Sequence, residues 1–246
     1  MPIRSLSCLV LLSAALVAQT RVDRPFAVDL TLGGGRFEHH TDGNSLDGST
    51  AAGFFQLELE GVSRHGVGAG LRLEGIGSND GLFDDAVAPR SEASASELFV
   101  HGTYVFENRH VDVPFRFGLL LHGYELDTPA VPDTLTASTL AFRLETEPEV
   151  TVVDERWGRW AIYGLLGFGF GGTALDSDAV TGEWTSDSAF FGAELGTRID
   201  LGVVEVGVAW IHRQHEMDES DVDSGTSILG FETAFSGLAI TFGARF

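Results

Sequence analysis

The feature that most constrains this chain is a period-2 alternation that recurs from Phe26 to Phe246. Such alternation sends successive side chains to opposite faces of a β-strand and does not build a helical stripe. Ten segments carry it, at about 26–38, 51–62, 67–76, 96–106, 113–126, 138–153, 159–172, 186–200, 203–214 and 234–246. One face of these segments is free of charge: Phe26, Val28, Leu30 and Leu32 in the first, Phe115, Phe117, Leu119 and Leu121 in the fifth, Leu166, Phe168 and Phe170 in the seventh. The other face collects Asp29, Gln56, Glu58, Glu60, Arg72, Glu74, His101, Arg116, His122, Arg143, Glu145, Glu147, Glu149, Glu194, Arg198, Glu205, Arg213 and Arg245. No linker or shift in composition separates the segments, so they are expected to form one domain.

A soluble β-sandwich and a membrane barrel both alternate, and alternation alone does not choose between them. Three further features favour the barrel. The connections alternate in length: 63–66, 107–112, 154–158 and 201–202 are short, whereas 39–50, 77–95, 127–137, 173–185 and 215–233 are long. Short turns at one end and long loops at the other are the pattern of a transmembrane barrel. Aromatic residues gather at strand ends, with Phe26, Phe106, Phe115, Trp160 and Phe246 at one rim and Phe55, Phe170, Phe191 and Trp210 at the other. Two such bands fit the two interfaces of a bilayer. Finally, the chain ends in Leu238-Ala-Ile240-Thr-Phe242-Gly-Ala244-Arg-Phe246, apolar at every second position with a terminal Phe.

This last strand resembles the C-terminal signature of bacterial outer-membrane β-barrel proteins, and the mature chain resembles them in overall pattern. The resemblance implies recognition of that strand by the barrel assembly machinery. The expected fold is all-β, an antiparallel up-and-down transmembrane barrel of about ten strands. Eight or twelve strands are the alternatives, with 77–95 and 215–233 the places where a pair could hide. An even count puts both termini on the periplasmic side and the long loops outside. No segment reaches 18 consecutive apolar residues, which excludes a helical membrane protein.

Met1 to Thr20 reads as an export signal, with Arg4 as the charged start, an apolar run from Cys8 to Val17 and Ala18 before the cleavage point. The expected division is residues 1–18 as signal peptide and 19–246 as barrel. Cys8 is the one cysteine, so neither a disulfide framework nor a multi-cysteine metal site is available.

The formal charge is −21, from 36 Asp and Glu against 15 basic residues, all of them Arg. A nucleic-acid partner would need a cationic footprint and is excluded. The long loops (38–50, 78–97, 125–136, 173–187 and 214–227) hold 20 of the acids and a single Arg, Arg90. The surroundings expected of such a chain are outer-membrane lipid and lipopolysaccharide, and it is expected to be a monomer without a cofactor.

Four sets of residues are candidates for function. The lumen set, Glu58, Arg72, Glu74, Arg116, Arg143, Glu145, Glu194, Arg198 and Glu205, mixes both signs and is expected to be ion-paired in a plugged or very narrow interior. Its alternative is a narrow, weakly cation-preferring pore, to which the inward glycines Gly167, Gly169, Gly171, Gly192, Gly196 and Gly207 would lend room. Two loop clusters, Asp42-Gly-Asn44-Ser-Leu-Asp47 and Asp218-Glu-Ser-Asp221-Val-Asp223, are weak candidates for Ca²⁺, since they offer hard oxygen ligands without EF-hand spacing. His212, His215 and Asp218 at the outer end of the ninth strand are weak catalytic candidates for a lipid A-modifying or omptin-like enzyme. Ten strands match the omptin barrel, but no omptin-like Asp-His motif and no deacylase-like His-x-Ser motif occurs, and His215 is followed by Glu216 and Met217. The expected role is therefore structural or interacting, or that of a passive pore, and not enzymatic.

Overall fold

The computed structural model describes residues 25–43, 47–79, 81–83, 90–107, 111–128, 133–177, 182–223 and 225–246. The export-signal residues Arg4, Cys8 and Ala18 lie outside them, as does Asn44. Eleven strand segments follow in order: β1 (Phe26–Thr41), β2 (Gly48–Val62), β3 (Val67–Ser78), β4 (Glu92–Glu107), β5 (Val111–Thr128), β6 (Asp133–Thr146), β7 (Glu149–Glu155), β8 (Gly158–Ser177), β9 (Trp184–Asp200), β10 (Val204–Met217) and β11 (Phe231–Arg245).

Each strand pairs antiparallel with its neighbours, and β1 pairs with β11, which closes the sheet on itself. Segments β6 and β7 are one stave: both lie between β5 and β8, and the break falls at Glu147-Pro148. Proline has no N–H to give to a ladder, and here its carbonyl accepts from Gly164 N at 3.1 Å, so the stave stays attached across the break. The result is an all-β, closed, antiparallel barrel of ten staves. Closure satisfies every strand edge internally, the one sheet solution available in hydrocarbon.

The short turns lie at the end where Phe26 meets Phe246, with paired backbone bonds of 3.3 and 2.9 Å between them. We call this the turn end and the opposite one the loop end. Two of the turns need glycine in the left-handed region, Gly66 (φ 75°) and Gly202 (φ 101°), where a Cβ is disfavoured.

At the turn end the strands stop within two residues of the positions expected from the alternation. At the loop end every one runs two to five residues further. The cause lies in the outward face. Along β5 it reads Phe115, Phe117, Leu119 and Leu121, then Glu125 and Asp127; along β10, Val204, Val206, Val208 and Trp210, then His212, Gln214 and Glu216. Ladder pairing continues where the apolar belt has stopped.

Phe117, Leu119, Leu121, Leu140, Leu144, Leu166, Phe168, Leu195 and Leu238 all stay about half exposed on the outer wall. A continuous belt of this kind is stable only against an apolar medium. Along β11 and the residue after it, the belt spans Leu238 to Phe246; nine residues at about 3.4 Å each, tilted by about 40°, rise roughly 23 Å, close to the height of an outer-membrane hydrocarbon band. The strand extensions therefore project beyond it.

Candidate functional site

Strand parity gathers the charged residues inside the belt. Asp29, Glu58, Arg72, Glu74, Arg116, Arg143, Glu145, Glu194, Arg198, Glu205, Arg213 and Arg245 all point into the lumen, each half-buried or buried. They form linked ion pairs. One chain runs from Asp29 to Arg245 (2.7 Å), on to Glu205 (3.0 Å), then through Arg198 (3.6 Å) to Glu147 (2.6 Å), and ends on Arg116 (2.7 Å) and Glu60 (3.1 Å). A deeper layer has Glu145 held by Arg72 and by Arg143 (2.7 Å), with Arg143 also on Glu97 (2.8 Å). Beside it Arg213 bridges Glu74 (3.0 Å) and Glu194 (2.5 Å).

Glu145, Glu147 and Glu149 share one parity across the Pro148 break, so a single stave presents three carboxylates in a row to arginines of β3, β5, β8 and β9. Three members were not assigned to the lumen from the sequence: Arg159 and Asp112, which pair at 2.9 Å, and Glu97, counted above with the loop acids. The parity of Glu97 with His101 was the signal that could have found it.

The structure also shows why Arg serves here. Arg72 and Arg143 both lie over the ring of Phe99, with guanidinium carbons 5.2 and 5.7 Å from its centre; Arg213 lies over Phe54 at 5.8 Å and Arg198 over Tyr163 at 4.5 Å. A planar guanidinium offers its edge to carboxylates and its face to an aromatic ring at the same time, which an ammonium group does not. Arg72, Arg143 and Arg213 form the boundary between an ionic half and an apolar half of the interior.

Towards the loop end the lumen fills with Phe37, Phe54, Ile76, Tyr124, Leu126, Leu175, Trp184, Ile211, Met217, Phe231 and Phe235. Leu82 and Phe83, from the connection between β3 and β4, tuck into the same cluster, anchored by bonds from the backbone of 81–83 to Ser91. Two of the inward histidines, His39 and His215, belong here. His39 Nδ1 lies 2.9 Å from Tyr124 Oη, and His215 stacks on Phe190 with ring centres 4.5 Å apart. A hydroxyl chain, Thr139 to Thr173 (2.6 Å) to Ser188 (2.5 Å) to His215 Nε2 (3.2 Å), crosses the wall of this cluster.

Four of the glycines named above make room for side chains. Gly192 and Gly167 lie against Arg143, Gly196 against the Tyr163 ring, and Gly207 against Arg198. A cavity of about 190 Å³ opens in the ionic half, reaching from the rim at Pro25, Arg64 and Glu107 inward to Arg72 and Glu194. Between the halves lies a void of about 20 Å³, beside His122, Arg213 and His215.

The catalytic candidates separate. His215 is buried inside the barrel; His212, three residues earlier, faces outward, stacked on Trp210, with Nδ1 2.8 Å from Ser236 Oγ; Asp218 is exposed beyond the strand end. Three of the calcium candidates have partners of their own. Asp47 pairs with His40 at 2.5 Å, Asp221 accepts from Thr185 Oγ1 at 3.0 Å, and Asp223 accepts from Glu183 N at 3.0 Å.

A closed barrel with a lipid-compatible outer wall and an ion-paired lumen defines the class: a β-barrel of the transmembrane type. Among solved structures the chain superposes on the outer membrane protease OmpT from Escherichia coli with a TM-score of 0.53, covering 94% of this chain and 100% of that one at 11% identity. The two share the outer-membrane β-barrel fold. The translocator domain of the autotransporter NalP from Neisseria meningitidis aligns over 99% of this chain and 97% of its own at a TM-score of 0.41 and 12% identity. No protein-family model matches the chain, and no curated protein matches it.

Proposed function

We propose that the protein is an integral outer-membrane barrel whose interior is sealed and whose work is done by its projecting end, in a structural or interaction role. The observation that carries this reading is the double filling of the lumen: an ionic layer centred on Arg72, Arg143 and Arg213 lies directly beneath an aromatic and aliphatic plug. A conducting pore needs a continuous aqueous path, and rings of packed Phe, Trp and Leu oppose one by dewetting. In this reading the turn end faces the periplasm and the loop end projects from the cell. The projecting wall carries Glu38, Glu92, Glu125, Asp127, Asp176, Asp187 and Glu216 on its outer face, a field that attracts cations and cationic surfaces. Lipopolysaccharide and the divalent ions that bridge it are the natural neighbours of such a wall, and the alternating C-terminal strand serves recognition by the barrel assembly machinery.

The separation of His212 from His215 supports a non-enzymatic role. Recording in planar bilayers tests the seal. Refolded protein is expected to stay electrically silent in both monovalent and divalent salts; reproducible unitary steps that scale with salt concentration would overturn the proposal.

A further inference from the structure

We infer that Glu58, Glu60 and His101 form a binding site for a divalent transition-metal ion, with zinc the best chemical match, inside the ionic half of the barrel. The site comes from three adjacent strands. On β3, Gly70 lies in register between Glu60 of β2 and His101 of β4. Because Gly70 has no side chain, the His101 ring lies across it towards the two glutamates; a methyl group at position 70 would overlap the ring. One ligand atom from each of the three residues falls within 4.8 Å of the others.

Two atoms of this group lack hydrogen-bond partners. His101 Nε2 and Glu58 Oε1 are both buried, 4.0 Å apart, and make no hydrogen bond; the His101 side chain is 0% exposed. The neighbouring hydroxyl decides what the imidazole presents. Thr103 Oγ1 donates to Glu60 Oε1 at 2.7 Å, so towards His101 Nδ1, at 3.2 Å, it accepts. The proton therefore sits on Nδ1, and Nε2 turns a lone pair towards the carboxylate of Glu58. Two lone pairs facing each other across a buried gap are stabilised by a cation between them. Bond lengths of about 2.0–2.2 Å for zinc to imidazole nitrogen or carboxylate oxygen let one ion reach both atoms across that gap. The Nδ1–H held by a hydroxyl is the outer support that metal-bound histidines generally have.

The donor set selects the ion. An imidazole with two carboxylates suits zinc and its neighbours, whereas Ca²⁺ and Mg²⁺ favour oxygen-only cages. Arg116 shares these carboxylates, at 3.1 Å from Glu60 and 3.5 Å from Glu58, and keeps Glu147 at 2.7 Å as a further partner when a metal takes its place. Access is through the 190 Å³ cavity, which Glu58, Glu60 and Arg116 line.

The test is calorimetric titration of Zn²⁺ into the full chain, refolded and stripped with chelator, with folding confirmed by gel mobility. One saturable site per chain is expected, weakened at least about tenfold by His101→Gln and unchanged by Asp221→Asn. X-ray absorption of the zinc-loaded wild type supplies an answer that does not depend on any variant folding: imidazole scattering together with oxygen ligands is expected. Absence of saturable binding, wild-type affinity in His101→Gln, or a bound zinc without imidazole would each overturn the inference.

Discussion

The two halves of the barrel reverse each other's polarity along the same strands. In the belt half, β5 puts Phe115, Phe117 and Leu119 outside and Arg116 inside; in the projecting half it puts Glu125 and Asp127 outside and Tyr124 and Leu126 inside. On β1 the change runs from Phe26, Leu30 and Leu32 outside with Asp29 inside to Arg36 and Glu38 outside with Phe37 inside. One ladder continues through both halves, so hydrogen bonding does not distinguish them. The surrounding medium does. Where lipid covers the wall, the wall is apolar and the interior can hold charge, provided each charge is paired. Where water covers the wall, the wall is polar and burial of apolar surface must happen inside, as in any soluble β-barrel. The aromatic plug is the hydrophobic core of the projecting half, and the ion-pair layers occupy the interior of the half embedded in lipid.

Substitutions at matched positions test this contrast. The largest effects are expected inside. Arg143→Leu strips Glu97 of its 2.8 Å partner and leaves Glu145 with Arg72 alone; breaking a buried pair of this kind should cost about 3–5 kcal/mol in urea unfolding from lipid vesicles. Phe235→Ala, which removes a ring stacked on Phe54 at 5.5 Å, should cost a comparable ~3–5 kcal/mol by a different route, an unfilled cavity. If Phe235→Ala left the unfolding curve unmoved, the projecting half would not pack as a core. Next comes the outer wall of the belt. Leu166→Arg is expected to destabilise by roughly 2–4 kcal/mol, as for a charge on the lipid face near the bilayer midplane. The smallest effect should come from the same face higher up: Glu125→Arg, exposed on the projecting wall, is expected to stay within about 0.5 kcal/mol of wild type. Equal costs for Leu166→Arg and Glu125→Arg would mean that both positions meet the same medium, and the division into halves would fail.

Much of this was legible in the residues. Parity alone separates Leu166, Phe168 and Phe170 from Arg143 and Glu145, because a strand has only two faces and a slip of one residue would put charge into lipid. The turn end was legible to within two residues because short turns with Gly66 and Gly202 bound it. The loop end was not. There both faces change character within a few residues, and a reading that follows an apolar outer face stops where that face becomes polar, although Phe37, Phe54, Ile76 and Phe235 already sat on the inward parity. The tucking of Leu82 and Phe83 into the mouth carries no periodic signal at all, since it depends on backbone bonds to Ser91.

The sequence by itself determined that this chain forms a barrel, which face meets lipid, and that fifteen arginines without a lysine must find acids. Period-2 patterning and charge are local properties, visible one strand at a time. Only the tertiary structure decided which Arg meets which Glu across the lumen, that inward glycines accommodate Arg143 and Tyr163, and that His101 crosses Gly70 to reach Glu58 and Glu60. Those contacts join different strands, some of them across the lumen, and they follow from the stagger and closure of the barrel, which no single strand encodes.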